Sequence, residues 1–102
     1  MSQLEEITER VRSAVGGDSG LGKSLKFNFK GEGFIHIDGG SVTNEDKPAD
    51  LTITITQADL IALGQGTLDP MSAVMGGRMQ LSDMGVAMGL QAKMQALFAK
   101  MA

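Results

Sequence analysis

Residues 51–56 read LTITIT. Successive side chains of a strand point to opposite faces, so Leu51, Ile53 and Ile55 share one side while Thr52, Thr54 and Thr56 share the other. That alternation predicts an antiparallel strand with one face buried and one face wet. The following Thr56-Gln57-Ala58-Asp59 resembles a capping box, in which a threonine hydroxyl accepts from a backbone N–H three residues on. Leu60, Ile61 and Leu63 then mark a short helix that Gly64 is expected to end. A one-sided strand running into an amphipathic helix is the elementary unit of an α+β layer.

Working outward, the same kinds of signal recur. Asp69 caps a second short helix with Pro70 at its first position, carrying Met71, Val74 and Met75 and stopped by Gly76-Gly77. Arg78-Met79-Gln80-Leu81-Ser82 alternates again and supplies the last strand. Val86, Ala87, Leu90, Met94, Leu97, Phe98 and Met101 trace a long C-terminal helix, with Gln91, Lys93, Gln95 and Lys100 outward. Upstream, Leu4, Ile7, Val11 and Ala14/Val15 recur at helical spacing, which predicts a helix over residues 2–15 with Ser2 as cap and Gly16-Gly17 as stop. LKFNFK (25–30) and FIHID (34–38) alternate and are joined by Gly31-Glu32-Gly33, a hairpin; a short edge strand follows around Val42. The predicted order is α-β-β-β-β-α-α-β-α, a single α+β domain spanning residues 1–102 with helices over one face of the sheet.

Composition narrows the function classes. The 102 residues are 42% hydrophobic and 21% charged, an ordinary globular balance for one domain. A net charge of −3 and the absence of any basic run leave nothing to neutralise a row of phosphates, so nucleic acid is not an expected partner. There is no cysteine, hence no disulfide and no thiolate metal site, which suits a cytoplasmic location. The opening MSQLEEITER lacks the basic and apolar regions of a signal peptide, and no apolar run approaches ~18 residues. Aromatics are four phenylalanines, while seven of eight methionines fall between Met71 and Met101. Methionine side chains are flexible and fill irregular space, so the C-terminal third should be deformable.

One stretch suggests different chemistry. Gly17 to Ser24, within GGDSGLGKS, fits the spacing G-x-x-x-x-G-K-S that cradles nucleotide phosphates. That cradle needs a strand before the loop and a helix after it, so that a helix N-terminus faces the phosphates. Here a helix precedes and a strand follows. The match is a coincidence of loop composition, and no nucleotide is expected.

Catalytic groups are equally scarce. His36 is the only histidine, which excludes a histidine-rich metal site, and in mid-strand it reads as a locally bonded imidazole. The carboxylates are scattered, with Glu45, Asp46 and Asp50 around Pro48 in a polar loop, and no nucleophile motif is present. Methionine at helical spacing is more often core filler than ligand wall. Gly85 and Gly89, however, lie at i and i+4 in the last helix, where each costs ~1 kcal/mol relative to alanine. Close approach of a neighbouring chain or an apolar ligand would account for them.

The segment from Ala49 to Phe98 resembles the sterol carrier protein type-two family. It shows in order D-L-T-I-T, D-L-I-A-L, G-T-L-D-P-M-S-A, G-R-M-Q-L and M-G-V-A-M, and the likeness extends over residues 25–100. One departure is that Ser82 joins Asp83 directly, where the family usually has an intervening glycine. The resemblance implies a five-stranded, mainly antiparallel sheet covered on one face by helices, with an apolar tunnel between them. It implies non-enzymatic binding and transfer of a fatty acid, acyl-coenzyme A, sterol or phospholipid, with transient membrane contact, no cofactor and no metal. The tunnel wall is then expected from Phe29, Ile53 and Ile55 of the sheet, Leu60, Met71, Val74 and Met75 of the short helices, and Met79 and Leu81 of the last strand. Met84, Val86, Gly89, Leu90 and Met94 would complete it from the last helix. An accessory domain that docks a partner protein through a hydrophobic surface is the alternative reading.

Overall fold

A computed structural model describes residues 3–17 and 20–101. Ser2, the expected first cap, and Asp18 and Ser19 of the glycine-rich loop lie outside the described residues. The elements are α1 (Gln3–Val15), β1 (Leu25–Asn28), β2 (Phe34–Asp38), β3 (Ser41–Thr43), β4 (Leu51–Ile55), α2 (Gln57–Gln65), α3 (Pro70–Met75), β5 (Met79–Leu81) and α4 (Met84–Met101). Their order is the one read from the sequence.

The five strands form one mixed sheet in the order β3-β2-β1-β4-β5. Three of its four pairings are antiparallel, but β1 and β4 run parallel, with Phe27 beside Ile53. This corrects the expectation for LTITIT, which is parallel to one neighbour and antiparallel to the other. Alternation reports which face is buried and carries no information about strand direction. The direction is set by residues 44–50, which return the chain to the β1 end where Ser24 and Asp50 meet. There the Ser24 N–H and hydroxyl donate to Asp50 Oδ2 (2.9 and 3.1 Å), and the Asp50 N–H donates to Ser24 Oγ (2.9 Å).

The register stacks the apolar positions on one face. Leu25 and Phe27 of β1, Ile35 and Ile37 of β2, and Leu51, Ile53 and Ile55 of β4 are all buried under the helices. The Phe27 ring lies 6.3 Å from Phe29 and 6.2 Å from Phe98 of α4, so α4 crosses the middle of the sheet. Arg12 ties α1 to the sheet edge, its Nη2 donating to the Val42 carbonyl at 3.0 Å. The other face carries Lys26, Asn28, Thr52 and Thr54, and the 44–50 loop reaches across it: Lys26 Nζ meets Asp46 Oδ1 at 2.7 Å. His36 sits under the same loop, only 5% exposed, with Nε2 3.1 Å from the Pro48 carbonyl.

Local chemistry explains the element ends. Thr56 Oγ1 accepts from the Asp59 N–H at 3.1 Å, as the capping pattern predicts. The helix then runs past the expected stop at Gly64, which is buried in its last turn, and ends at Gly66 with φ 78°, a conformation glycine adopts without steric cost. In the β1–β2 turn Gly33 combines φ 123° with a close approach, since a Cβ there would stand 2.6 Å from Leu4 Cδ2.

Candidate functional site

Three elements converge beside the β5 edge of the sheet. Asp69 fixes the start of α3, its Oδ2 accepting from the Ser72 N–H at 3.1 Å with Pro70 at the first helical position. The turn after α3 is held twice: the Arg78 N–H donates to the Ala73 carbonyl at 2.8 Å, and Arg78 Nη2 reaches Asp59 Oδ1 at 2.5 Å. That guanidinium bond, supported by the Thr56 hydroxyl, holds the Asp59 carboxyl below its ordinary value against the opposing effect of its burial. Beyond β5, Ser82 stays paired with Thr52, donating its N–H to the Thr52 carbonyl (3.0 Å) and accepting from the Thr52 N–H through Oγ (2.9 Å). Asp83 then caps α4 at once, its Oδ1 accepting from the Val86 N–H at 3.1 Å. The β4–β5 pairing, Ile53 beside Leu81 and Ile55 beside Met79, thus runs directly into the α4 cap.

Between these elements lies an apolar groove of about 80 Å³. Its floor is Ile53, Met79 and Leu81, one wall is Pro70, Met71 and Val74, and the other is α4 from Met84 to Phe98. Among the described residues, the polar side chains of its lining are Gln91 and Gln95, and no ionisable group borders it. A more polar, open surface cleft adjoins it, lined by Leu63 to Gly66, Leu68 and Asp69, and shares Pro70, Gln95 and Phe98 with the groove.

Of the residues expected along a tunnel, Ile53, Met71, Val74, Met79, Leu81, Met84 and Met94 border this groove. Phe29, Ile55 and Leu60 do not; they are fully buried in the sheet–helix core. Leu90 is buried on another side of α4, Val86 is half-buried, and Met75 stands on the surface at 81% exposure. Gly89 is exposed, and a Cβ there would meet nothing within 4 Å. Among the described residues Gly85 faces the Asp83 cap, at 3.3 Å.

Sequence reading missed Pro70, Ala87, Met88, Gln91, Gln95 and Phe98, all of which line the groove. On α4, Met84, Ala87, Met88, Gln91, Met94, Gln95 and Phe98 recur at steps of three and four, so one helix face supplies that wall. Gln91 and Gln95 are exposed, as their polarity predicts, and they border the groove from that exposed side. The methionines also depart from core filling. Met79 and Met94 are buried, whereas Met71 (57%), Met75 (81%), Met84 (52%) and Met88 (70%) are exposed at and beside the groove.

The phosphate-like loop has no such surroundings. Lys23 and Ser24 lie in a cleft with Asp38 and Asp50, and the Ser24 hydroxyl is engaged by Asp50. Hydrogen bonds from Ser24 are the main cause that lowers the Asp50 carboxyl below its ordinary value, with Lys23 adding a smaller electrostatic effect. Two carboxylates in that cleft oppose phosphate binding. Among the described residues no group of three or more His, Cys, Asp or Glu could hold a metal ion, and no helix is long and apolar enough to cross a membrane.

The fold has clear counterparts. Sterol Carrier Protein 2 Like 2 from Aedes aegypti superposes with a TM-score of 0.73 at 26% identity, covering 86% of this chain and 93% of that one. Sterol Carrier Protein 2 from Aedes aegypti in complex with palmitate superposes with a TM-score of 0.67 at 19% identity, covering 98% of each chain. Among curated proteins, sterol carrier protein 2 of Oryctolagus cuniculus is 46% identical over 54 residues and that of Homo sapiens 43% over 54 residues. In both cases the match takes in 52% of this chain and 10% of the relative, so this chain matches about a tenth of those longer proteins. The model of the SCP-2 sterol transfer family matches residues 2–95. With the mixed five-stranded sheet, its one-sided helical cover and that match together, the chain belongs to the SCP-2 sterol transfer family.

Proposed function

We propose that this domain binds one apolar lipid chain in the groove between α3, β5 and α4 and carries it without acting on it chemically. The observation that carries this reading is the group of exposed methionines, Met71, Met84 and Met88 on the groove and Met75 beside it. Exposed large apolar side chains gathered at one concave site mark a binding surface. No ionisable group among the described residues borders the groove, so none of them is placed for general acid–base chemistry there.

At about 80 Å³ the groove is smaller than the several hundred Å³ typical of ligand sites, so a bound chain widens it into the tunnel that the family resemblance implies. Unbranched methionine side chains can swing aside with little loss of packing. A family defined by sterol transfer, and a solved structural counterpart in complex with palmitate, support a lipid as the occupant. Fatty acid, acyl-coenzyme A, sterol and phospholipid all offer the required chain, since burial at ~0.8 kcal/mol per CH₂ favours any of them.

Native mass spectrometry of the purified protein, followed by solvent extraction, tests the proposal. The expected result is a 1:1 adduct whose mass belongs to an extractable lipid. A protein that stays empty in the presence of each lipid class, and binds no fluorescent lipid, would refute it. The alternative of a docking domain draws on Met75, which is 81% exposed yet outside the groove lining. A specific protein complex lost on Met75→Gln, with no lipid bound, would favour that alternative.

A further inference from the structure

Sulfur chemistry in this chain belongs to methionine alone, since the sequence holds eight methionines and no cysteine. A thioether has no proton to lose and keeps its nucleophilic lone pair at any ordinary pH, so access governs its reaction with a peroxide. Access divides the groove's sulfurs into two sets. Met79 and Met94 are 6% and 8% exposed, whereas Met71, Met84 and Met88 are 57%, 52% and 70% exposed along the rim. Met75, at 81%, is as open as these but stands outside the lining.

In the reaction a sulfur lone pair attacks one oxygen of hydrogen peroxide, and the S–O bond forms as the O–O bond breaks. The departing hydroxide takes the proton of the transferred oxygen and leaves as water. Sulfur is oxidised by two electrons and the peroxide is reduced by two. The product sulfoxide is a polar group that accepts hydrogen bonds from water. In the empty protein the three rim side chains already stand in solvent, so this change costs the fold little. A lipid lying in the groove would strip water from the sulfoxides, and its alkyl chain offers no donor in exchange.

We infer that Met71, Met84 and Met88 form an oxidation site on the lipid groove, where conversion to sulfoxides by hydrogen peroxide lowers lipid affinity and reduction restores it. Methionine sulfoxide reductases reverse the step, one enzyme for each sulfoxide epimer; their thiols carry the oxygen off as water and end as a disulfide. The inference rests on the lipid-binding reading and adds a chemical modification that regulates the same site.

The test is to treat the purified chain with hydrogen peroxide at neutral pH, map sulfoxides by peptide mass spectrometry, and titrate pyrenedodecanoic acid before and after. Met71, Met75, Met84 and Met88 should oxidise before Met79 and Met94. Probe affinity should then fall about tenfold while the melting temperature holds within a few degrees. The two reductases with dithiothreitol should restore it. Unchanged affinity with the rim fully oxidised overturns the inference, as does a loss that appears only when Met79 and Met94 oxidise or the protein unfolds. Met75 supplies an internal control. Met75→Leu should show the same drop on oxidation as the wild type, whereas M71L/M84L/M88L, whatever its starting affinity, should show none. The reverse pattern would move the effect away from the groove. Preloading with the probe should slow sulfoxide formation at Met71, Met84 and Met88 relative to Met75, and equal slowing at all four would show that the rim is not covered by ligand. If the untreated protein binds no probe and forms no lipid adduct by mass spectrometry, the lipid-binding reading fails and this inference with it.

Discussion

Ser24 and Asp50 join the starts of the two central parallel strands through three reciprocal hydrogen bonds, the Ser24 side chain both donating to the carboxylate and accepting from the Asp50 backbone. The Leu51 N–H adds a fourth link, to the Ser24 carbonyl at 3.2 Å. A serine that a phosphate-binding motif would turn toward Mg²⁺ is thus a strand clamp. We predict that Ser24→Ala lowers the melting temperature, whereas Lys23→Ala leaves it within experimental error. Calorimetry with Mg·ATP and Mg·GTP should show no saturable heat for the wild type, and micromolar binding abolished by Lys23→Ala would refute this assignment.

Gly89 and Val74 separate stability from binding. Gly89 is an exposed helix-interior position with open space around it, so Gly89→Ala should stabilise the domain by roughly 1 kcal/mol through helix propensity alone. In a domain of this size that raises the melting temperature by about 4–8 °C, with lipid-probe affinity unchanged. Val74 is half-buried and borders the groove, so Val74→Phe should fill ligand space and weaken the probe by about tenfold while the fold persists. A weakened probe in Gly89→Ala, or an unaffected one in Val74→Phe, would place the ligand elsewhere.

The Asp59–Arg78 pair predicts an acid sensitivity. Because Asp59 is lowered from 3.8 in the folded state, its ionised form binds the rest of the structure more tightly than its protonated form does. That stability is present above about pH 4 and is lost as pH falls through the unfolded value and on through the lower folded one. Asp59→Asn should therefore lower the melting temperature at neutral pH and flatten its decline between about pH 5 and pH 3. Arg78 is 56% exposed at its side chain, so solvent screening keeps the effect to a few degrees. A variant whose melting curve parallels the wild type over that range would show that the pair does not govern the acid limb.

Met75 offers a test of membrane contact during exchange. It is 81% exposed and does not line the groove, so Met75→Gln should leave equilibrium binding unchanged. If the exposed methionines meet the bilayer, transfer of a fluorescent lipid to phosphatidylcholine vesicles should slow by about threefold. Equal transfer rates would remove this residue from the contact surface.

Much of the architecture was legible because its causes are local. LTITIT declares its buried face by alternation, Thr56 and Asp69 declare helix starts by their capping oxygens, and Pro70 stands where a first helical turn loses no hydrogen bond. The sequence likeness over Ala49 to Phe98 supplied the family and its five-stranded sheet. Three things depended on tertiary structure. Strand direction came from the Ser24–Asp50 clamp, a link across 26 residues that no short pattern encodes. The groove-facing side of α4 was hidden because its first turns, Met84 to Leu90, are apolar or glycine all round and carry no facial signal. Burial of methionine was not readable either: Met79 and Met94 lie inside while Met75 and Met88 lie outside, since exposure is decided by what packs against a side chain and not by its own hydrophobicity.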